Sequence, residues 1–313
     1  MQNRELTRER NVHGPVIALA FAFDAMARAR IGISGWRYKP WRGTFYPKDL
    51  AQRLELHYAS RQVASIEING SFYSLQTPAN YTQWREQTPH GFVFSVKAPR
   101  FISHIKRLRD IDIPMANFFA SGIFQLREKL GPILWQFPPS MKFDAARFEA
   151  FLAMLPYDTM QAAAMACRHD SHLRGPASLS PDLNRRMRHA VEIRHESFAV
   201  PEFIAMLRRH RVALVVADTA GKWPFLEDVT ADFMYLRLHG DKKLYASGYS
   251  HAAIDMWARK IKAWMRGTQP SDAQKVVAGA PPRRASREVY CYFDNDMKVK
   301  APRDAARLSE KLG

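Results

Sequence analysis

The chain has 313 residues, of which 47% are hydrophobic, and it carries a formal net charge of +17. That length and apolar content allow one large core and exclude a disordered chain. Two cysteines, Cys167 and Cys291, are too few for a disulfide framework and lack metal-site spacing, which favours a reducing cytoplasm. The positive charge fits an anionic partner, but a solvated basic surface explains it equally well.

The first thirty residues precede any predicted strand. Their basic start and the apolar stretch Val16–Phe23 resemble a signal peptide, but Glu5 and Glu9 dilute the basic charge and the apolar stretch is short. No apolar run reaches the roughly 20 residues that a membrane span needs. We therefore predict an N-terminal extension over 1–30, a single domain over 31–313, no membrane segment and a cytoplasmic location.

Eight strand-like segments follow in order, separated by helices or loops. The segment Ser65–Tyr73 shows the common pattern, because Ile66 and Ile68 share one face while Glu67 and Asn69 share the other. Eight strands with alternating crossovers predict a TIM-type (β/α)8 barrel of the α/β class. The predicted strands are Ile31–Gly35, Ser65–Tyr73, Phe92–Lys97, Pro132–Phe137, His189–Arg194, Val212–Asp218, Phe233–His239 and Glu288–Asp294.

The connections between these strands are predicted from apolar periodicity, caps and prolines. Residues 156–188 and the Gly-, Ala- and Pro-rich loop 267–286 each join a helix to the next strand, so both are predicted on the face opposite the site, the loop being flexible. The sixth crossover, Lys222–Ala231, is too short for a full helix. Helices are predicted over Lys48–Arg61, Pro78–Gln87, Met115–Lys129, Asp144–Leu155, Ala162–Cys167, Pro201–His210, His251–Arg266 and Pro302–Leu312.

Polar side chains collect at the C-terminal ends of the predicted strands, which is the rim where TIM-barrel enzymes carry their active sites. A ring of buried ion pairs that plugs the barrel is the structural alternative. The two interpretations differ at Arg237, which is open to water in an active site and buried in a plug. The residues predicted to point inward at this rim are Glu67, Asn69, Lys97, Gln136, Glu192, Arg194, Asp218, Arg237, His239 and Asp294.

Several sequence blocks resemble the YecE-like family, the domain of unknown function numbered 72. The resemblance implies a TIM-type barrel and brings no established reaction. It extends from about Ile31 to Leu308. The blocks are Ile31–Trp36, Trp41–Pro47, Glu67–Asn69, Phe72–Tyr73, Lys129–Pro139, Glu192–Phe198, Arg237–Gly240 and Tyr292–Asp296.

The side chains at this rim favour an enzyme, a hydrolase, lyase or isomerase, that acts on a small phosphate- or carboxylate-bearing molecule. In this interpretation Glu67 or Glu192 is the general base, Lys97 or His239 supplies a proton, and Asp218 is a further catalytic candidate. Guanidinium groups match the oxygens of phosphate and carboxylate. The predicted substrate-binding residues are Trp36, Asn69, Tyr73, Gln136, Arg194, Arg237, Asp294 and Asn295.

Other chemistries are less well supported by the sequence. Only His239 among the histidines falls at a strand end, so no metal site is predicted, and no cofactor is assigned. The sequence has no serine-hydrolase elbow, P-loop or dinucleotide fingerprint. A barrel without catalytic activity is a further interpretation.

Nucleic acid is the alternative partner. Basic residues alternate with aromatic ones in the loops at the predicted rim, a combination that suits stacking on unpaired bases. The basic residues are Arg37, Lys39, Arg42, Arg100, Lys106, Arg107, Arg109, Lys242 and Lys243, and the aromatic residues are Trp36, Trp41, Tyr46 and Phe101.

Overall fold

The structure is a computed structural model that describes residues 27–296 and 299–313. Eight parallel strands pair in chain order, and the last pairs with the first to close a barrel, so the predicted TIM-type fold is confirmed. Most of the predicted N-terminal extension lies outside the described residues. The strands are β1 Ala29–Ser34, β2 Ser65–Ile68, β3 Val93–Lys97, β4 Leu130–Gln136, β5 His189–Glu192, β6 Ala213–Asp218, β7 Phe233–Leu238 and β8 Glu288–Phe293.

The α-helices surround this barrel. Asp144 caps its helix as predicted, because its carboxylate accepts from the backbone N–H of Arg147 at 3.1 Å. None of the helices in the described residues has the length and apolar content needed to span a bilayer. The helices are α1 Glu55–Ala59, α2 Gly70–Tyr73, α3 Pro78–Gln87, α4 Asp112–Ala120, α5 Ala145–Met154, α6 Thr159–Ala166, α7 Pro201–Arg209, α8 His251–Met265 and α9 Lys300–Leu312.

Three predicted boundaries are wrong. The segment Ser65–Tyr73 is a strand only to Ile68, because the chain turns into α2. The helix predicted to reach Lys129 ends at Ala120. Gly122 follows with φ +117°, and an added Cβ there would lie 2.5 Å from the Cα of Pro78, so only glycine fits this turn. Of the predicted helix Lys48–Arg61, only the 3₁₀ turn Gln52–Leu54 and α1 are helical.

The barrel interior is filled by one row of side chains from each strand, and the opposite rows pack against the helices. In β6 the interior row is Ala213, Val215 and Ala217. Alternation therefore places Asp218 on the helix-facing row. Its predicted inward orientation is wrong, because an almost wholly apolar strand gives no sequence signal of which row points inward.

The detour over 156–188 differs from its prediction at its tip. Helix α6 packs against α4 outside the barrel. The carboxylate of Asp170 accepts from Asn117 Nδ2 at 2.9 Å. Asp170 and His172 line a cavity with Phe72, which follows β2 at the rim side. The prediction that the whole detour lies on the opposite face is therefore wrong for this tip.

The loop 267–286 lies near the start of β7, since Arg284 is 3.8 Å from the carboxylate of Asp232. Its predicted face is confirmed. The loop is, however, anchored by backbone hydrogen bonds. Gln274 N donates to the carboxylate of Glu227, which also binds Lys260 Nζ at 2.6 Å. The loop, which was predicted to be flexible, is therefore tied to buried acidic side chains.

Candidate functional site

Arg237 is the centre of a buried ion-pair network inside the C-terminal rim. Its guanidinium group donates to Glu67 at 2.9 and 3.1 Å, to Glu192 at 2.8 Å and to Asp294 at 2.8 Å. All three nitrogens take part, and the side chain is only 1% exposed. The expectation of an Arg237 open to water is therefore wrong. Arg237 holds three carboxylates in place, so it has no free edge for a substrate anion.

The two buried glutamates organise this network. Glu67 also accepts from Ser34 at 2.5 Å and Tyr235 at 2.6 Å. Glu192 accepts from Gln136 at 2.9 Å. Burial acts to raise the pKa of Glu192, but Arg194 and Arg237 outweigh it and hold that pKa well below its usual range. Neither glutamate is exposed, so the general-base role predicted for them does not fit their position.

Asp294 and His239 complete the network towards the surface. The Nδ1 of His239 lies 3.1 Å from Asp294 Oδ2. Burial acts to raise the pKa of Asp294, but Arg237 and His239 bring it down to about 2. The ring of His239 is fully buried. It is therefore placed against Asp294, and its burial does not favour the predicted role of proton donor to a substrate.

Lys97 is the exception among the charged groups here. Among the described residues its Nζ has no hydrogen-bond partner, and it lies 4.2 Å from the centre of the Phe72 ring. Its side chain is 8% exposed. Burial and the nearby Arg237 lower its pKa from 10.5 to about 8, although Glu67, Glu192 and Asp294 act in the opposite direction. An appreciable fraction of this amine is therefore neutral near physiological pH.

A second buried lysine shows what a structural amine looks like in the same chain. Lys129 Nζ donates to the carbonyl of Arg85 at 2.6 Å and to the carbonyl and hydroxyl of Thr88 at 2.8 and 3.0 Å. All three of its N–H groups are used. This contrast indicates that Lys97 is held in an unsatisfied state at the rim.

Arg194 lies just beyond the end of β5 and is joined to this network through Glu192. Its Nε donates to Glu192 at 2.8 Å, and its guanidinium stacks 3.8 Å from the centre of the Trp223 ring. The two terminal nitrogens have no hydrogen-bond partner among the described residues. Burial, together with Lys97 and Arg194, lowers the pKa of His104 to about 4, so its ring is neutral beside them.

Two predicted site residues lie outside this group. Asp218 accepts from the hydroxyl of Tyr249 at 3.0 Å on the helix side of β6. Asn295 is fully buried and donates to the carboxylate of Asp304 at 2.9 Å. Asp218 thus holds the segment that precedes α8, and Asn295 is joined to α9.

Three others lie at the edge of the rim. Asn69 donates to Ser34 Oγ at 2.9 Å. Trp36 packs edge-on against Trp84, and together with Asn69 it lines a cavity of about 250 Å³. Tyr73 is 72% exposed and lies beside a different cavity, described below. The rim network thus gathers Glu67, Lys97, Gln136, Glu192, Arg237 and Asp294, as predicted, with Asn69 beside it.

Sequence reasoning did not assign Ser34 or Asp296 to the site. Ser34 binds Glu67, Asn69 and Arg237 through its hydroxyl. Because side chains alternate along a strand, the sequence could have placed Ser34 on the opposite side of β1 from Ile33, inside the barrel. Asp296 follows the last strand, and burial together with Asp294 raises its pKa to about 6. No local pattern marks such a shift.

The same structure bears on two other ligands considered from the sequence, a metal ion and nucleic acid. Within 27–296 and 299–313, no three His, Cys, Asp or Glu side chains come together as metal ligands. Of the aromatic residues proposed to stack on bases, Trp36, Trp41 and Tyr46 are buried in the core, and only Phe101 is exposed. A nucleic-acid partner stays a prediction, with fewer stacking groups than the sequence suggested.

Known proteins resemble this chain in sequence and fold. The UPF0759 proteins YunF of Bacillus subtilis and YecE of Escherichia coli K12 are each 30% identical, over 114 and 111 residues, or 35% and 34% of this chain. The matched segment spans only 39% and 37% of those proteins.

Two solved structures are similar over 91% of this chain. A DUF72 family protein of Thermotoga maritima has a TM-score of 0.68, 24% identity and 98% of its own length covered. One from Enterococcus faecalis has a TM-score of 0.64, 16% identity and 95% coverage. The family model described as "Protein of unknown function DUF72" matches residues 30–313. The chain therefore belongs to the DUF72 family.

Proposed function

We propose that this barrel is an enzyme that acts on a small anionic molecule at its C-terminal rim, with Lys97 as the reacting amine. The observation that carries the proposal is the state of Lys97: an unpaired, largely buried amine whose pKa lies near 8. Such a group is destabilising unless a ligand uses it. Strongly perturbed groups of this kind concentrate at functional sites.

The chemistry of Lys97 follows from its protonation. An amine with a pKa near the working pH supplies its proton readily and is also present in the neutral, nucleophilic form. Both forms are useful for reactions next to a carbonyl or phosphoryl group. Asp296, which follows β8 and has a pKa of about 6 because of burial and the neighbouring Asp294, is a second group that changes charge near neutral pH.

Anion binding is assigned to Arg194 together with Lys97. The free terminal nitrogens of Arg194 present a planar fork, which matches phosphate or carboxylate oxygens. Stacking on Trp223 and the Nε bond to Glu192 fix its orientation. Arg237 then has a supporting role, because it fixes the carboxylates that surround Lys97.

Lysine labelling tests this proposal directly. The protein is treated with acetic anhydride over a pH series, and the modification of each lysine is followed by mass spectrometry with and without inorganic phosphate. Lys97 should label with an apparent pKa near 8, and phosphate should protect it. In Arg194→Met the phosphate concentration needed for protection should rise roughly 10-fold, because a factor of that size corresponds to the free energy of one hydrogen bond between charged groups.

Lys129 is the internal control in the same spectra. Its amine is buried and fully hydrogen-bonded, so it should label slowly and independently of phosphate. If Lys97 titrates like an exposed lysine, or if phosphate protects it no better than Lys129, the proposed role of the rim is refuted.

A further inference from the structure

An apolar cavity of about 500 Å³ lies beside the rim and is not explained by the ion-pair network. Its walls come from α2 and the following turn, from the segment after β3, from α4, and from the tip of the 156–188 detour. A cavity of this size accommodates a small-molecule group. The apolar lining includes Phe72, Tyr73, Leu75, Phe101, Ile102 and Ile113.

Much of this lining is left open to water. Tyr73 is 72% exposed, Phe101 46% and Ile113 40%. A cluster of exposed apolar side chains bordered by polar groups marks a binding site, because covering it removes apolar surface from water. Lys106 and His172 supply polar groups at the border.

The far wall is held in position by specific hydrogen bonds. The side chain of Asn117, buried in α4, donates to Asp170 at 2.9 Å and accepts from its backbone N–H at 3.0 Å. Asp170 in turn lies 2.8 Å from His172 Nδ1. The tip of the detour is therefore fixed against the cavity, although its sequence position alone placed it on the opposite face.

Phe72 connects this cavity with the rim. Its ring lies 4.2 Å from Lys97 Nζ and 5.1 Å from the His104 ring, and it also lines the cavity. The hydroxyl of Ser71 donates to the carbonyl of Lys97 at 2.7 Å, which ties α2 to the end of β3. The reactive amine and the apolar cavity thus share one aromatic wall.

We infer that the cavity binds the aromatic arm of a substrate whose anionic end lies at Lys97 and Arg194. This inference rests on the proposed function, and it narrows the substrate class to anions that carry an aromatic group on a short linker. Phe72, Tyr73 and Phe101 in the lining offer ring edges and faces against which an aromatic ring packs better than a polar group. The anionic end supplies charge pairing at the rim, and the arm supplies buried apolar surface.

Calorimetric titration with three probes tests the inference: inorganic phosphate, phenylbutyl phosphate and phenylbutanol. Phenylbutyl phosphate should bind roughly 10-fold or more tighter than inorganic phosphate, because burying a phenyl ring contributes at least that factor. Phe101→Ala and Ile113→Ser should each remove a large part of this advantage and leave the binding of inorganic phosphate unchanged. Leu183→Ala, which truncates an apolar side chain that is 64% exposed and is not part of the cavity lining, should change neither.

The outcomes separate this inference from the proposed function. In one outcome phenylbutanol binds and loses affinity in Phe101→Ala, while inorganic phosphate and phenylbutyl phosphate bind Lys97→Met as tightly as wild type. The cavity is then a binding site, and the proposed rim chemistry fails. If phenylbutyl phosphate binds no tighter than inorganic phosphate, or keeps its advantage in both Phe101→Ala and Ile113→Ser, the inference is overturned.

Discussion

Replacing Lys97 with methionine should make the protein more stable. In the folded chain the pKa of Lys97 is about 8 in place of 10.5, which corresponds to about 3 kcal/mol of unfavourable protonation free energy. Methionine has a similar length and removes that cost. The contact with the Phe72 ring at 4.2 Å is lost as well, at about 1 kcal/mol. The expected net gain is therefore about 2 kcal/mol at pH 7, with function lost in exchange.

The pH dependence has a defined direction. The pKa of Lys97 is lower in the folded than in the unfolded chain, so the unfolded chain binds more protons between pH values of about 8 and 10.5. The free-energy cost of protonated Lys97 in the folded chain is fully present below this pH window and absent above it. The advantage of Lys97→Met should therefore be constant below pH 8 and fall to nearly zero by about pH 10.5.

Denaturant unfolding of both proteins at several pH values measures this difference. Lys129→Met is the matched control, because its three acceptors lose their donor and the variant should be destabilised by about 1–3 kcal/mol. A Lys97→Met protein that is less stable than wild type at pH 7, or a difference that does not shrink above pH 8, would refute the reasoning.

Two further predictions concern the supporting structure. Arg237→Met should cost about 3–5 kcal/mol in denaturant unfolding, since it leaves three carboxylates without their buried partner; a loss below about 1 kcal/mol would mean that these charges are solvated. Shortening the loop 267–286 should destabilise the fold by about 1–3 kcal/mol, because Glu227 and Asp228 lose backbone donors. Phosphate protection of Lys97 should survive that deletion, and its loss in a folded variant would contradict the assigned face.

The sequence by itself determined the eight strands, their order and, for most strands, which side chains point into the barrel. Alternation of polar and apolar residues is a local property, and in a barrel it is enough to assign a side chain to the interior. It therefore placed Glu67, Lys97, Glu192, Arg237 and Asp294 correctly at the C-terminal rim. Where alternation is absent, as in β6, the same reasoning misplaced Asp218.

Only the tertiary structure decided what each charged group at the rim does. Hydrogen-bond partners come from strands far apart in the chain, so no local pattern reveals that Arg237 is saturated by three carboxylates while Lys97 has no hydrogen-bond partner among the described residues. Burial also depends on distant parts of the chain, since Asn295 is fully buried whereas Tyr73 is exposed to solvent. Charge, solvation and hydrogen bonding set the pKa of a group, and all three depend on neighbours that only folding brings together.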